Sequence, residues 1–115
     1  MPNPKTADIR AQNDRFRKGD PGVPGRLLMT SGVDALIGDN PTNRTDLISA
    51  IRGFDQFTAD NDPHGEHDFG AFAFLGERLF FKIDYFAPDL EYGSDDPADP
   101  EKTVRVLTIM LAEEY

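Results

Sequence analysis

Two stretches near the middle of the chain alternate side chains with period two: "HDFGAFAFL" (67–75) and "RLFFKIDYF" (78–86). Alternation of this kind predicts two β-strands, and the Gly76-Glu77 pair between them has the chemistry of a two-residue II′ hairpin turn. That turn would place Leu75 opposite Arg78, Phe74 opposite Leu79, Phe72 opposite Phe81, Gly70 opposite Ile83 and Asp68 opposite Tyr85. Phe72, Phe74, Leu79, Phe81 and Ile83 then share one face, which is the expected core. The other face carries Phe69, Ala71, Ala73, Phe80 and Phe86 among His67, Lys82 and Asp84. A solvated face does not need three phenylalanines, so either a helix covers it in part or a partner does.

Period 3.6 appears elsewhere. "TADIRAQNDRFRKG" predicts a first helix over about 6–18, with Thr6 as cap, Ile9 and Phe16 on a thin apolar stripe, and Gly19 as the stop. That thin stripe suits a helix at the edge of the fold. "DNPTNRTDLISAIRGFDQF" predicts a second helix, started by Asn40-Pro41 or capped by Thr45, with Leu47, Ile48, Ile51 and Phe54 as its apolar stripe. "RLLMT" (26–30), bounded by Gly25 and Gly32, is a short strand, and "LEYGS" (90–94) a further one. The closing stretch from Asp99 carries a helix-start signature: Asp99 as cap, Pro100 at the first helical position and Glu101 in the first turn. Val104, Leu107 and Leu111 would be its buried stripe, widened by Val106, Ile109 and Met110. The β-branched run from Thr103 to Ile109 would also suit a strand, but the helix start and the "LAEEY" ending favour a helix. "GDPGVPG" (19–25) is a loop without the Lys-Ser/Thr ending of a phosphate loop. Only the first few residues and Asp95–Asp99 look linker-like. The expected fold is α+β: a small, mainly antiparallel sheet of three or four strands, with the central hairpin 67–86, packed against two or three helices.

A chain of 115 residues is expected to form one domain over 1–115. There is no cysteine, which excludes disulfides and thiolate chemistry, and no stretch has the length of an apolar membrane span, so a cytoplasmic protein is expected. The net charge of −9 is uneven. Residues 1–30 hold six basic and three acidic side chains, and the remainder holds six basic and eighteen acidic ones. Such an acidic body disfavours direct contact with nucleic acid and favours partners with a basic surface.

Chemistry concentrates in "DNDPHGEHD" (60–68). His64, Glu66, His67 and Asp68 are the candidate metal ligands, and His67, Glu66 and Asp84 the candidate acid–base group, since His67 and Asp84 would lie near one another on the hairpin. Against a metal, histidines three apart converge best on a helix, which Pro63 and Gly65 oppose. An EF-hand counted from Asp60 fails at its twelfth position, Ala71. Asp68-Phe69-Gly70 matches a kinase triplet without any of its companions. The structural alternative is an ordered loop, built from Asx turns at Asp60, Asn61 and Asp62, that steers the chain into the hairpin. Gly70 would then admit the close approach of another element.

"NDPHGEHDFGAF", "KIDYF", "YGSDDPADP" and "RVLTIMLAEEY", together with "IRAQNDRFR" and "TSGV", resemble a family of small proteobacterial proteins catalogued only as a domain of unknown function. Its members are often found on plasmids and other mobile elements. "GDPGVPG" is longer than the usual link there. The resemblance implies no activity, substrate or catalytic residue. The leading expectation is therefore a small acidic cytosolic protein-binding module without a cofactor. It would contact a basic protein, of the kind that handles nucleic acid, through Phe69, Phe80, Lys82 and Phe86. It would touch neither nucleic acid nor membrane directly, and homodimerisation through the aromatic face is compatible with it. The alternative expectation is a small metal-dependent or acid–base enzyme using the 60–68 loop.

Overall fold

The computed structural model describes residues 4–115; the linker-like first residues lie outside it. The elements run α1 (Pro4–Arg17), β1 (Gly25–Met29), α2 (Ser31–Ile37), α3 (Pro41–Arg52), β2 (Phe69–Phe74), β3 (Glu77–Phe86) and β4 (Val104–Leu111), closed by a 3-10 turn at Ala112–Glu114. The four strands form one sheet in the order β1-β4-β3-β2. β2 and β4 run antiparallel to β3, while β1 is parallel to β4. The fold is α+β, as the periodicities predict.

Local chemistry places the helices. The Thr30 hydroxyl accepts from Val33 N at 3.3 Å and caps α2, a short helix that the apolar spacing alone did not reveal. Asn40, rather than Thr45, caps α3, its side chain accepting from Thr42 N at 2.9 Å with Pro41 at the first helical position. All three helices lie on one face of the sheet. Val33 and Ile37 of α2 and Leu47 and Ile51 of α3 pack with Phe54 onto Leu79, Phe81, Ile83, Leu107 and Ile109. A Cβ at Gly70 would sit 2.2 Å from the Phe81 ring and 2.7 Å from Phe54, so this strand glycine makes room for two aromatic rings.

Four expectations are corrected. The hairpin turns at Leu75-Gly76 rather than Gly76-Glu77, both residues having positive φ (51° and 78°), so Phe74 faces Glu77 and Phe72 faces Leu79. That is type I′ geometry, whose twist matches the strands. Each residue's partner shifts by two positions, an even number, so the predicted core face is kept. The segment 90–94 contributes only a single bridge, Gly93 to Phe86. An Asx turn from Asp89 to Glu91 N and a positive φ at Leu90 fold it back before a ladder can form.

The largest correction is the closing helix. Asp99 and Pro100 form a turn, with Asp99 accepting from both Glu101 N and Lys102 N, and the β-branched run becomes strand β4 between β1 and β3. Arg105, Leu107 and Ile109 face the helices while Val106 and Met110 are buried on the other side. Burial on both faces gives the near-continuous apolar sequence that suggested a helix. The stretch 95–99, expected to be a linker, is tied down: Ala98 O accepts from Gln12 Nε2 at 2.6 Å and Pro97 O from Arg105 Nη2 at 2.7 Å.

Candidate functional site

The loop before β2 is ordered by its own side chains. Asn61 and Thr58 exchange bonds, and Asp62 Oδ1 accepts from His67 N at 3.0 Å. His67 itself has φ 56°, which breaks the strand alternation and turns its ring toward α1. There Nδ1 lies 2.8 Å from Asp14 Oδ1, Nε2 lies 3.8 Å from Asp62 Oδ2, and the ring stacks on Phe57 at 3.9 Å. Arg17 Nη1 donates to the same Asp14 oxygen at 2.9 Å. Burial would raise the Asp14 pKa, but the bonds from Arg17 and His67 outweigh it and hold the carboxyl below its ordinary value.

Glu66 also turns to the helical side. Tyr85 Oη donates to Glu66 Oε1 at 2.7 Å, Asn13 Nδ2 donates to Tyr85 Oη at 2.8 Å, and Arg105 Nε donates to Asn13 Oδ1 at 2.6 Å. Arg105 and Asn13 have no exposed surface. Burial lowers the Arg105 pKa, and it raises that of Tyr85 far above the phenolic range. This chain of bonds fastens α1, the loop, β3 and β4 to one another. It is a clasp.

His64 and Asp68 project instead toward the face of the sheet that carries no helix. The four candidate metal ligands are thus divided between two sides, and among the described residues no group of three or more histidine and acidic side chains could hold a metal ion. Nor does the expected neighbourhood of His67 and Asp84 form, because the turn at His67 sends its ring to the opposite face. Asp84 pairs with Lys82 at 3.1 Å.

The helix-free face holds a broad cleft of about 930 Å³. Phe69, Phe80 and Tyr115 form its aromatic side, with ring centroids 5.0 Å apart for Phe69–Phe80 and 5.6 Å for Phe80–Tyr115. Asp60, Asp68, Asp84 and Glu114 also line it, against Lys82 as its one lysine or arginine. Asp68 carries the clearest electrostatic stress: burial first, then the charge of Glu66, pushes its carboxyl above the ordinary value. Glu114 is satisfied, bonding Thr30 Oγ1 at 2.6 Å, Leu111 N at 2.8 Å and Gly32 N at 3.2 Å, and these bonds lower its pKa.

Of the expected interaction residues, Phe69, Phe80 and Lys82 line this cleft. Phe86 stands at the far end of β3, opposite Val104 and Gly93. Sequence reasoning missed Tyr115, Met110 and Asp60, which reach the cleft from distant segments. It also missed the clasp, for which the spacing of Ile9, Asn13 and Arg17 at every fourth position was the available signal: all three are buried on one side of α1. Among the described residues no helix is long and apolar enough to cross a membrane.

Comparison with known proteins adds a family. Neither the curated proteins nor the solved structures hold a match to this chain. A family described as "Protein of unknown function (DUF3768)" matches residues 29–114, leaving α1 and nearly all of β1 before the matched span. That span takes in α2, α3 and strands β2 to β4 with most of the cleft, and the chain belongs to this family of proteins of unknown function.

Proposed function

We propose that the protein is a non-enzymatic binding module, acting as one cytoplasmic domain, whose helix-free sheet face receives a basic segment of another protein. The observation that carries this reading is the pairing of aromatic and acidic groups in one cleft. Phe69, Phe80 and Tyr115 offer flat apolar surface, and Asp60, Asp68 and Asp84 offer carboxylates beside it. Arginine is the side chain such a surface suits best, since its guanidinium stacks on rings and pairs with carboxylates at once. The raised pKa of Asp68 supports the same reading, because an incoming cation would relieve the repulsion that burial and Glu66 impose. An overall charge of −9 steers basic partners toward the molecule from a distance. Proteins that handle nucleic acid carry basic surfaces of this kind, and the plasmid-borne setting that the resemblance suggests would bring them within reach.

The test is a titration of isotope-labelled protein with an arginine-rich peptide and with a glutamate-rich control. The arginine peptide is expected to move the resonances of Phe69, Phe80 and Asp84, with affinity lost in Phe80→Ala and Asp84→Asn and weakened by salt. Shifts confined to the helical side, or binding that survives both substitutions, would overturn the reading.

A further inference from the structure

The helical side holds a second concavity, built from the parts that the cleft does not use. The C-terminal turns of α1 and α3 meet above β1 and leave a slot of about 390 Å³. Leu27 and Leu107 from the sheet, Phe16 from α1 and Ile48 from α3 are its main apolar lining, and its two polar side chains are Arg17 and Arg52. On a chain with nine excess negative charges, this slot is lined by two cations and no acid.

Neither arginine is fully used. Arg17 is only 5% exposed, its Nη1 is occupied by Asp14, and its Nε is buried without a hydrogen-bond partner. A buried donor without an acceptor is costly, and a ligand that brings an acceptor removes the cost. Arg52, by contrast, is exposed and pairs with no carboxylate among the described residues. Its guanidinium lies against Gly19, where an added Cβ would meet Nη2 at 2.9 Å. Leu27, at 42% exposure, leaves apolar surface uncovered at the sheet edge beside them. A mostly apolar hollow with a few placed polar groups is the common form of a small-molecule site.

We propose that this slot binds a small carboxylate with an aliphatic tail, an acyl carboxylate. The tail lies over Leu27 and Leu107, and the carboxylate accepts from Arg17 Nε and from the Arg52 guanidinium. Asp14 offsets part of the Arg17 charge, so Arg52 supplies the discrimination between an anionic and a neutral head. The site is independent of the peptide cleft, which lies on the other face of the sheet.

Methyl-labelled full-length protein titrated with octanoate tests it, with 1-octanol, octylamine and acetate as comparison probes. Octanoate is expected to shift the Leu27, Ile48 and Leu107 methyls saturably and to bind about tenfold more tightly than octanol or octylamine, with acetate weaker still. Arg52→Gln, at an exposed position, should keep the resonance dispersion of the native protein and lose about tenfold in octanoate affinity. Leu27→Asn should weaken octanoate and octanol alike. Phe80→Ala, on the other face, should leave octanoate binding unchanged. The proposal is overturned by the absence of saturable shifts at these methyls, by octanol or octylamine binding as tightly as octanoate, or by unchanged affinity in Arg52→Gln.

Discussion

Phe80 and Phe81 are neighbours on β3 and point to opposite faces of one sheet. Phe81 has no exposed surface and shares one buried core with residues of α2, α3 and β4, while Phe80 meets Phe69 and Tyr115 over a cleft. Apart from the slot beside β1, the helical face is closed by apolar packing and, beneath α1, by a chain of buried polar bonds. The other face carries Phe69, Phe80 and Tyr115 beside Asp60, Asp68, Asp84 and Glu114, with no helix over it. What distinguishes them is therefore both the acidic side chains set among the rings of the cleft and the lack of a helix to cover those rings.

Truncating the two rings should separate the faces most sharply. Phe81→Ala removes a fully buried ring, and its expected cost of about 3–5 kcal/mol is a large part of the stability of a small domain. Chemical denaturation should show a large fall in midpoint or no folded protein. Phe80→Ala is expected to cost about 1 kcal/mol, the scale of its aromatic pairs, while abolishing most of the affinity for an arginine-rich peptide. Equal losses of stability from the two substitutions would mean that the cleft face is ordinary core.

The clasp under α1 should give the next largest effect. Asn13→Ala removes the acceptor of Arg105 Nε and the donor to Tyr85, leaving buried groups unsatisfied at an expected cost of about 1–3 kcal/mol. Adding Arg105→Met to that variant should restore part of the loss, because an apolar side chain does not need the lost partner. Denaturant midpoints of the two single variants and the double variant would measure the coupling, and simple additivity would show that the bonds act independently.

The contrast between the faces also governs what could be read from the sequence. The hairpin announced itself because β2 and β3 alternate cleanly, and even a misplaced turn kept the right residues together, since it changed the pairing by two residues and so preserved parity. β4 did not, because a central strand buried on both sides loses its alternation, and the Asp99-Pro100 pair that starts helices also makes turns. α1 shows only a thin apolar stripe because its buried side is Ile9, Asn13 and Arg17, two of them polar. The cleft was half legible: Phe69, Phe80 and Lys82 follow from strand parity, whereas Tyr115 and Asp60 arrive through tertiary structure alone. His67 lies on the face opposite to the one strand parity predicts, because a single residue at positive φ reverses the parity that the rest of the strand obeys.

The smallest expected effect concerns Asp68, at the boundary between the two faces. Its carboxyl lies above the ordinary range because it is partly buried and stands near Glu66, with Asp62 adding to the same push. The folded protein therefore holds the Asp68 proton more tightly than the unfolded chain does. Below the unfolded pKa both states are protonated and the group contributes nothing. As pH rises through the folded pKa the proton is lost, and the ionised carboxylate then costs stability. Asp68→Asn should accordingly melt higher than the unsubstituted protein at pH 7, and the gap should close by pH 3. The same substitution should weaken the arginine-rich peptide, since it removes both the charge that attracts a cation and the repulsion that a cation would relieve. Stabilisation with undiminished peptide binding would place Asp68 outside the contact, whereas opposite changes in the two measurements would identify it as a residue kept at the expense of stability for the sake of the cleft.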